Sequence, residues 1–273
     1  MADKMRIGWI GTGVMGLSMA GHLQAAGWPL TVYNRTKAKT EPLLAKGAKW
    51  ADTPRAVAEA SDVVFTIVGY PHDVEEVTLG ENGVLRGLAA GGIVCDMSTS
   101  SPVLAERIAA AAKKQGCESL DAPVTGGDVG ARDAKLSIFV GGDNAAYERV
   151  LPCFNKMGTN ILHCGGAGFG QKGKLANQAA IAGVMISTCE SFLFAQEAGL
   201  DVAKWMELVV AGSGGSFAMN TLGRRMKLVL PAITLADQLY RIMQAKGQGS
   251  KGTQALVECL AELSAKDWRA CCK

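Results

Sequence analysis

A chain of 273 residues with 48% hydrophobic and 19% charged side chains has the balance of a globular protein with a sizeable core, which excludes a disordered segment. Its net charge of +3 is too small to point to nucleic acid or an anionic membrane, so neither is expected as a partner. The eight cysteines form no Cys-x-x-Cys pair and join no His cluster, so no metal site is expected, and they read as free thiols in a reducing compartment.

In chain order, Met1 to Arg6 carries neither an apolar leader nor an Arg-rich amphipathic stretch, and the expected location is the cytoplasm. No continuous apolar run reaches membrane-spanning length. Strands are predicted at 6–10, 30–33, 63–68, 93–97, 119–121 and 136–140. Those at 63–68 and 93–97 are almost continuously apolar, as parallel strands covered on both faces must be. Helix starts lie between them: Thr53 before Pro54, and Ser100 or Ser101 before Pro102, pair a capping hydroxyl with proline at the first helical position. Gly27, Gly47 and Gly116 fall where helices should stop. Alternating strand and helix predicts an α/β fold, a doubly wound Rossmann sheet over residues 1–164. From 165 to 273 the pattern turns all-helical. A long interdomain helix at 171–198, with an apolar stripe of Leu175, Ile181, Met185 and Phe192, founds this second domain. Further helices are predicted at 202–210, 217–227, 234–246 and 253–265, and no strand is predicted after Cys164.

Gly11-Thr12-Gly13-Val14-Met15-Gly16 fits G-x-G-x-x-G between a strand and a helix. Gly11 permits the tight turn, Gly13 lets the main chain approach a pyrophosphate, and Gly16 lets helix pack on strand. The pyrophosphate would rest on the free N–H groups of the helix N-terminus. The second strand ends in Asn34-Arg35-Thr36 rather than in the acidic residue that accepts hydrogen bonds from a ribose 2′-hydroxyl. A 2′-phosphate would meet no carboxylate there, and Arg35 offers it a planar cation. NADP(H) is therefore the expected cofactor, with NAD(H) possible. A solvated helix start with Arg35 and Lys37 on its surface is the plain alternative.

The three histidines, His22, His72 and His163, are not placed for hydride chemistry, so another group must handle the proton. Two segments supply candidates. Asp121-Ala-Pro-Val-Thr125-Gly126-Gly127 ends a strand in a loop whose N–H groups and Thr hydroxyl could hold a carboxylate. In Gly168-Phe-Gly170-Gln-Lys-Gly-Lys174-Leu-Ala-Asn177-Gln178, Lys174 and Asn177 share one helix face. A partly buried lysine there can act as general acid or base, its pKa lowered; an ordinary charged helix start is again the alternative.

On three motifs, Ile10-Gly-Thr-Gly-Val-Met-Gly16, Asp121-Ala-Pro-Val-Thr-Gly-Gly127 and Gly170-Gln-Lys-Gly-Lys-Leu-Ala-Asn-Gln178, the chain resembles the β-hydroxyacid dehydrogenase family. That family includes 3-hydroxyisobutyrate dehydrogenases, tartronate semialdehyde reductases and glyoxylate/succinic semialdehyde reductases, and the resemblance runs from residue 6 to about 226. It implies that Lys174 is the catalytic lysine and that Asn177 helps hold the substrate. It implies further that Thr125, Gly126 and Gly127 bind the substrate carboxylate, and that Val68, Gly69 and Pro71 line the nicotinamide side with Thr99 beside them. The implied reaction is hydride transfer between NADP(H) and a small carboxylic acid, a β-hydroxy acid or its semialdehyde of the 3-hydroxyisobutyrate, glyoxylate or succinic semialdehyde type. In one departure, Lys227 runs directly into Leu228-Val-Leu-Pro231, and the family's Lys-Asp-Leu helix after Met226 has no counterpart. The alternative function is thus an NADP-binding paralogue or splice form with little or no catalysis. The resemblance also implies a homodimer or homotetramer, because the family buries such helices between subunits.

Overall fold

The structure is a computed structural model and describes residues 5–222. The helices expected at 234–246 and 253–265, residues 223–227 of that expected at 217–227, Cys259, Cys271, Cys272 and the shortened stretch after Met226 lie outside the described residues. The chain divides into two compact units, one reaching Asn177 and the other starting at Gln178.

In the first unit, β1 (Ile7–Ile10), α1 (Gly16–Ala25), β2 (Leu30–Tyr33), α2 (Glu41–Leu44), β3 (Lys49–Trp50), α3 (Pro54–Glu59) and β4 (Val63–Thr66) follow one another. They continue into α4 (Pro71–Leu79), β5 (Ile93–Asp96), α5 (Pro102–Lys114), β6 (Glu118–Asp121), β7 (Val124–Thr125) and α6 (Gly127–Arg132). The unit then runs through β8 (Leu136–Gly142), α7 (Asn144–Phe154) and β9 (Gly158–Gly165) to the start of α8 (Phe169–Glu197). The strands form one sheet in the order β3-β2-β1-β4-β5-β6-β8-β7, with β9 on β8. From β3 to β6 every pairing is parallel.

Period-two alternation divides this sheet's core. Ile7, Trp9, Val63, Phe65, Ile93 and Cys95 face one side with Phe154, while Ile10, Val64 and Val94 face the other with Val57, Leu104 and Ile108. Both faces are covered, which is why β4 and β5 are buried at every position. The helix starts form as their sequences require: Thr53 Oγ1 accepts from the Ala56 N–H at 3.0 Å and Ser101 Oγ from the Leu104 N–H at 3.4 Å, each followed by Pro.

Several elements depart from the sequence reading. β8 runs antiparallel to β6 and β7, so the sheet is mixed beyond β6. β3, β7 and β9 were not expected. β3 and β7 have two residues each, too short to show a period, and β9 is mostly polar or half-exposed because it lies beyond the two-sided core. The proposed stripe on α8 is also corrected. Of its four residues only Phe192 is buried, at 3% exposure, while Leu175 is 48% exposed; the buried positions are Gly170, Gln171, Lys174, Thr188, Glu190, Phe192 and Ala195. By length and composition alone α8, with 29 residues and an 18-residue stretch of mean hydropathy 1.4, is long and apolar enough to cross a membrane. Scattered polar residues hid this from a search for continuous runs.

In the second unit α9 (Val202–Val210) matches its predicted span. Met206 packs with Phe192 and Met219, and Trp205 lies edge-on to Phe192 at 5.7 Å.

Candidate active site

The turn after β1 is fixed by contact distances. Gly11 has φ +98°, and a Cβ there would stand 2.1 Å from the Ile67 carbonyl oxygen; one at Gly16 would stand 2.0 Å from the Gly11 carbonyl oxygen. Neither position tolerates a side chain without movement of the main chain. Gly13 is the opposite case, with open space around the Cβ position, room that a bound group could use. The Gly11 carbonyl accepts from the Trp9 indole N–H at 2.8 Å. No acidic residue and no side-chain cap occupies the first turn of α1, and the Thr12 hydroxyl oxygen is buried with no hydrogen-bond partner. An uncapped helix N-terminus, an open glycine and an orphaned hydroxyl fit the pyrophosphate of a dinucleotide.

At the end of β2, Asn34 Oδ1 accepts from the Thr12 N–H at 3.0 Å and Asn34 Nδ2 donates to the Thr36 carbonyl at 2.8 Å. Asn34 thus shapes the turn. The Arg35 side chain is 89% exposed, and its Nη1 stands 3.6 Å from Asp73 Oδ1. Local sequence shows no acid near Arg35; the fold supplies one from the first turn of α4. With the guanidinium in solvent and the nitrogen–oxygen separation long, such a pair contributes about 0–1 kcal/mol, too little to keep the guanidinium from a phosphate dianion.

The C-terminal ends of β4, β5 and β6 meet nearby. Val68 N–H donates to Ser98 Oγ at 2.9 Å. Gly69, Pro71 and Thr99 are exposed, while Ser98 and Ser100 on either side of Thr99 are buried. Asp96 is buried; its Oδ1 accepts from Thr66 Oγ1 at 2.8 Å and from the Ser98 N–H at 3.1 Å. Burial pushes its pKa up to about 6 against the pull of those two bonds. Asp121 is its neighbour in register, and burial raises that carboxyl as well.

Asp121 sets the start of α8. Its Oδ1 accepts from the Gly168 N–H at 2.7 Å and its Oδ2 from the Gln171 N–H at 2.8 Å. The helix N-terminus thereby gains a carboxylate cap from a strand 47 residues away. Gly170 allows the approach, since a Cβ there would stand 2.2 Å from the Asp121 carbonyl oxygen. One turn further on, Lys174 is 6% exposed and has no ion-pair partner among the described residues. Burial lowers its pKa. Asn177 is half-buried, and its Oδ1 is enclosed without a hydrogen-bond partner.

Thr125 and Asn177 line one open groove of about 640 Å³ together with Ser137, Phe139, Thr159 and Asn160. Lys174 is not among the groove's lining residues. Gly126 and Gly127 follow Thr125 with φ of +127° and +65°, and around the Cβ position of Gly127 the space is open. The histidines have structural partners or exposure: His22 contacts the Ala131 carbonyl at 2.9 Å, His163 the Gly142 carbonyl at 3.0 Å, and the His72 side chain is 78% exposed. Asp121 and Gln171 lie inside the sequence motifs, which assign them no task. Their partners lie 47 to 73 residues away, and no local signal announces such bonds.

Residues 6–166 match the family profile described as the NAD binding domain of 6-phosphogluconate dehydrogenase, and residues 168–223 match the one described as NAD-binding of NADP-dependent 3-hydroxyisobutyrate dehydrogenase. The chain is 46% identical over 291 residues to the probable 3-hydroxyisobutyrate dehydrogenase-like 1, mitochondrial, of Arabidopsis thaliana, covering 96% of this chain and 87% of the relative. It is 42% identical over 222 residues to the 2-hydroxy-3-oxopropionate reductase of Escherichia coli, covering 81% of this chain and 76% of that protein. Among solved structures, a Mycobacterium tuberculosis 3-hydroxyisobutyrate dehydrogenase with L-serine superposes with a TM-score of 0.72 at 26% identity, over 96% of this chain and 94% of the other.

Proposed function

The chain belongs to the 3-hydroxyisobutyrate dehydrogenase family of NAD(P)-dependent oxidoreductases acting on CH–OH groups, and we propose that it transfers hydride between NADP(H) and a small β-hydroxy acid or its semialdehyde. The cofactor, when bound, supplies or accepts the hydride at its nicotinamide. Gly11, Thr12, Gly13, Val14, Met15 and Gly16 hold its pyrophosphate, and Asn34, Arg35 and Thr36 surround the 2′-position. Val68, Gly69, Pro71 and Thr99 form the nicotinamide side. Residues 1–164 make the cofactor domain and 165–273 the substrate and oligomerisation domain.

Lys174 carries the reading. A buried ammonium with no counter-ion among the described residues costs stability, and groups kept at such a cost cluster at functional sites; a lysine with a lowered pKa loses and regains a proton readily. In reduction Lys174 gives its proton to the substrate oxygen as charge develops there; in oxidation it takes the hydroxyl proton. Asn177, with an unsatisfied carboxamide oxygen, receives the substrate hydroxyl. The substrate carboxylate is held by the N–H groups of Gly126 and Gly127 and the Thr125 hydroxyl.

One observation favours the second reading, a cofactor-binding paralogue with little turnover. The alignment with the Arabidopsis relative runs over 291 residues, more than the 273 of this chain, so the relative carries residues that have no counterpart here. A screen of β-hydroxy acids and semialdehydes with NADPH and with NADH, on this chain and on Lys174→Ala, separates the two. Turnover that needs Lys174 supports the enzyme, and cofactor binding without turnover supports the paralogue.

A homodimer or homotetramer is part of the proposal, supported by Val184, Ile186 and Phe194 on α8, which are 36%, 43% and 66% exposed; light scattering after gel filtration tests it. A cytoplasmic location, read from the N-terminal residues, differs from the mitochondrial one in the Arabidopsis relative's name, and fractionation decides between them.

A further inference from the structure

Gln171 lies one turn before Lys174 on α8 and is fully buried. Its carboxamide spans a single exposed residue of the loop after β5. Oε1 accepts from the Ser100 N–H at 2.8 Å, and Nε2 donates to the Ser98 carbonyl at 2.8 Å. Only one orientation of the amide satisfies both bonds, because the acceptor must meet the N–H and the donor the C=O. Between the two anchors stands Thr99, exposed, with buried neighbours on each side. The Gln171 main-chain N–H is held in turn by Asp121. One residue thus ties together the loop after β5, the end of β6 and the first turn of α8.

We propose that Gln171 is a positioning residue for hydride transfer, fixing the distance between the loop that presents Thr99 and the helix that presents Lys174. The inference rests on the assignment above, in which Thr99 stands beside the nicotinamide and Lys174 handles the proton. A generic buried amide could be satisfied by any donor and acceptor. This one grips both sides of the residue expected next to the reacting ring, and sits one turn from the residue expected to exchange the proton. Misplacing reacting groups by about 1 Å can cost 10²-fold in rate, so a rigid link at this point bears directly on turnover.

The test compares wild type with Gln171→Met, which keeps the bulk and loses both bonds, and with Gln171→Glu. In its protonated form the introduced carboxyl donates to the Ser98 carbonyl and accepts from the Ser100 N–H, as the amide does. Ionised, it has no donor for that carbonyl. The carboxylates bonded to this cluster are Asp121, on the Gln171 N–H, and Asp96, on the Ser98 N–H. Lys174 lies one turn onward, and the Lys172–Glu106 pair lies at the exposed side. Burial and the two carboxylates raise the introduced group's pKa.

Two readouts are followed from low to high pH: kcat with KM, and amide hydrogen exchange at Ser100 by NMR. For Gln171→Met, kcat should fall by about 10- to 100-fold with little change in substrate KM, and Ser100 exchange should be faster at every pH. For Gln171→Glu, kcat and Ser100 protection, each taken relative to wild type at the same pH, should be close to wild type at low pH and fall away from it as pH rises. Wild-type kcat and Ser100 protection in Gln171→Met would overturn the proposal, as would equal, pH-independent losses in both variants. If Gln171→Met does not fold, the pH profile of Gln171→Glu decides. If wild type turns over no acid in the screen, the proposed reaction fails on its own account, and Ser100 exchange still decides whether Gln171 holds the loop.

Discussion

Replacing Asp96 with Asn should make the protein more stable at neutral pH, and the size of the gain follows from where the carboxylate sits. Asp96 is 6% exposed at the end of β5, and burial raises its pKa from 3.8 to about 6 despite the bonds from Thr66 and Ser98. The folded chain therefore binds this proton more tightly than the unfolded chain. The stability linked to it is fully present below about pH 3.8 and is lost as pH rises through about 6. A separation of about 2 pH units at 1.36 kcal/mol each makes the ionised carboxylate unfavourable by on the order of 3 kcal/mol above pH 7. Asn keeps the acceptor for Thr66 and Ser98 without the charge. Its NH2 has a neighbouring space of about 10 Å³ lined by Asp96, Ser100 and Asp121, about the room one water needs. Urea unfolding followed by circular dichroism, run on both proteins from pH 4 to pH 8, measures the difference. Asp96→Asn should exceed wild type by roughly 2–3 kcal/mol at pH 8 and converge with it near pH 4. A gap independent of pH, or a less stable variant at pH 8, would refute the reasoning.

Lys174→Ala should lower turnover by about 10²- to 10⁴-fold while cofactor affinity stays nearly constant; steady-state kinetics with a cofactor titration checks both, and near-normal turnover would place the proton donor elsewhere. Arg35→Ala should weaken NADPH far more than NADH, because only the former carries the 2′-phosphate, and equal losses by calorimetry would remove the stated reason for NADP preference. Gly16→Ala puts a methyl 2.0 Å from the Gly11 carbonyl oxygen and should cost about 1–3 kcal/mol of stability while weakening both cofactors alike, measured by thermal unfolding with and without each.

What could be read from the sequence was whatever is written locally. Thr53-Pro54 and Ser101-Pro102 carry their helix starts within four residues, and the runs in β4 and β5 declare two covered faces by composition alone. Gly11 and Gly16 were placed by motif, and the contact distances supply the reason. The rest depends on meetings between distant segments. β8 turns antiparallel because of its pairing with β6, which no residue in β8 specifies. The burial of Lys174 follows from Asp121 drawing the start of α8 onto the sheet, while Leu175, one position on, faces outward although it is apolar. The acid beside Arg35 comes from α4 and not from the end of β2. In each case the deciding partner lies beyond the window in which periodicity and capping operate.

Trp9 offers a use of a different kind. Its indole is fully buried, stacked on Phe65 at 5.4 Å, and its N–H is bonded to the carbonyl of the first glycine in the dinucleotide turn. Indole emission responds to the polarity and hydrogen bonding at that nitrogen, so the chain carries its own optical gauge of this turn. Anything that tightens or loosens the turn should change the Trp9 signal without a dye or a coupled reaction. Trp9→Phe identifies that share of the signal, set against the four other tryptophans.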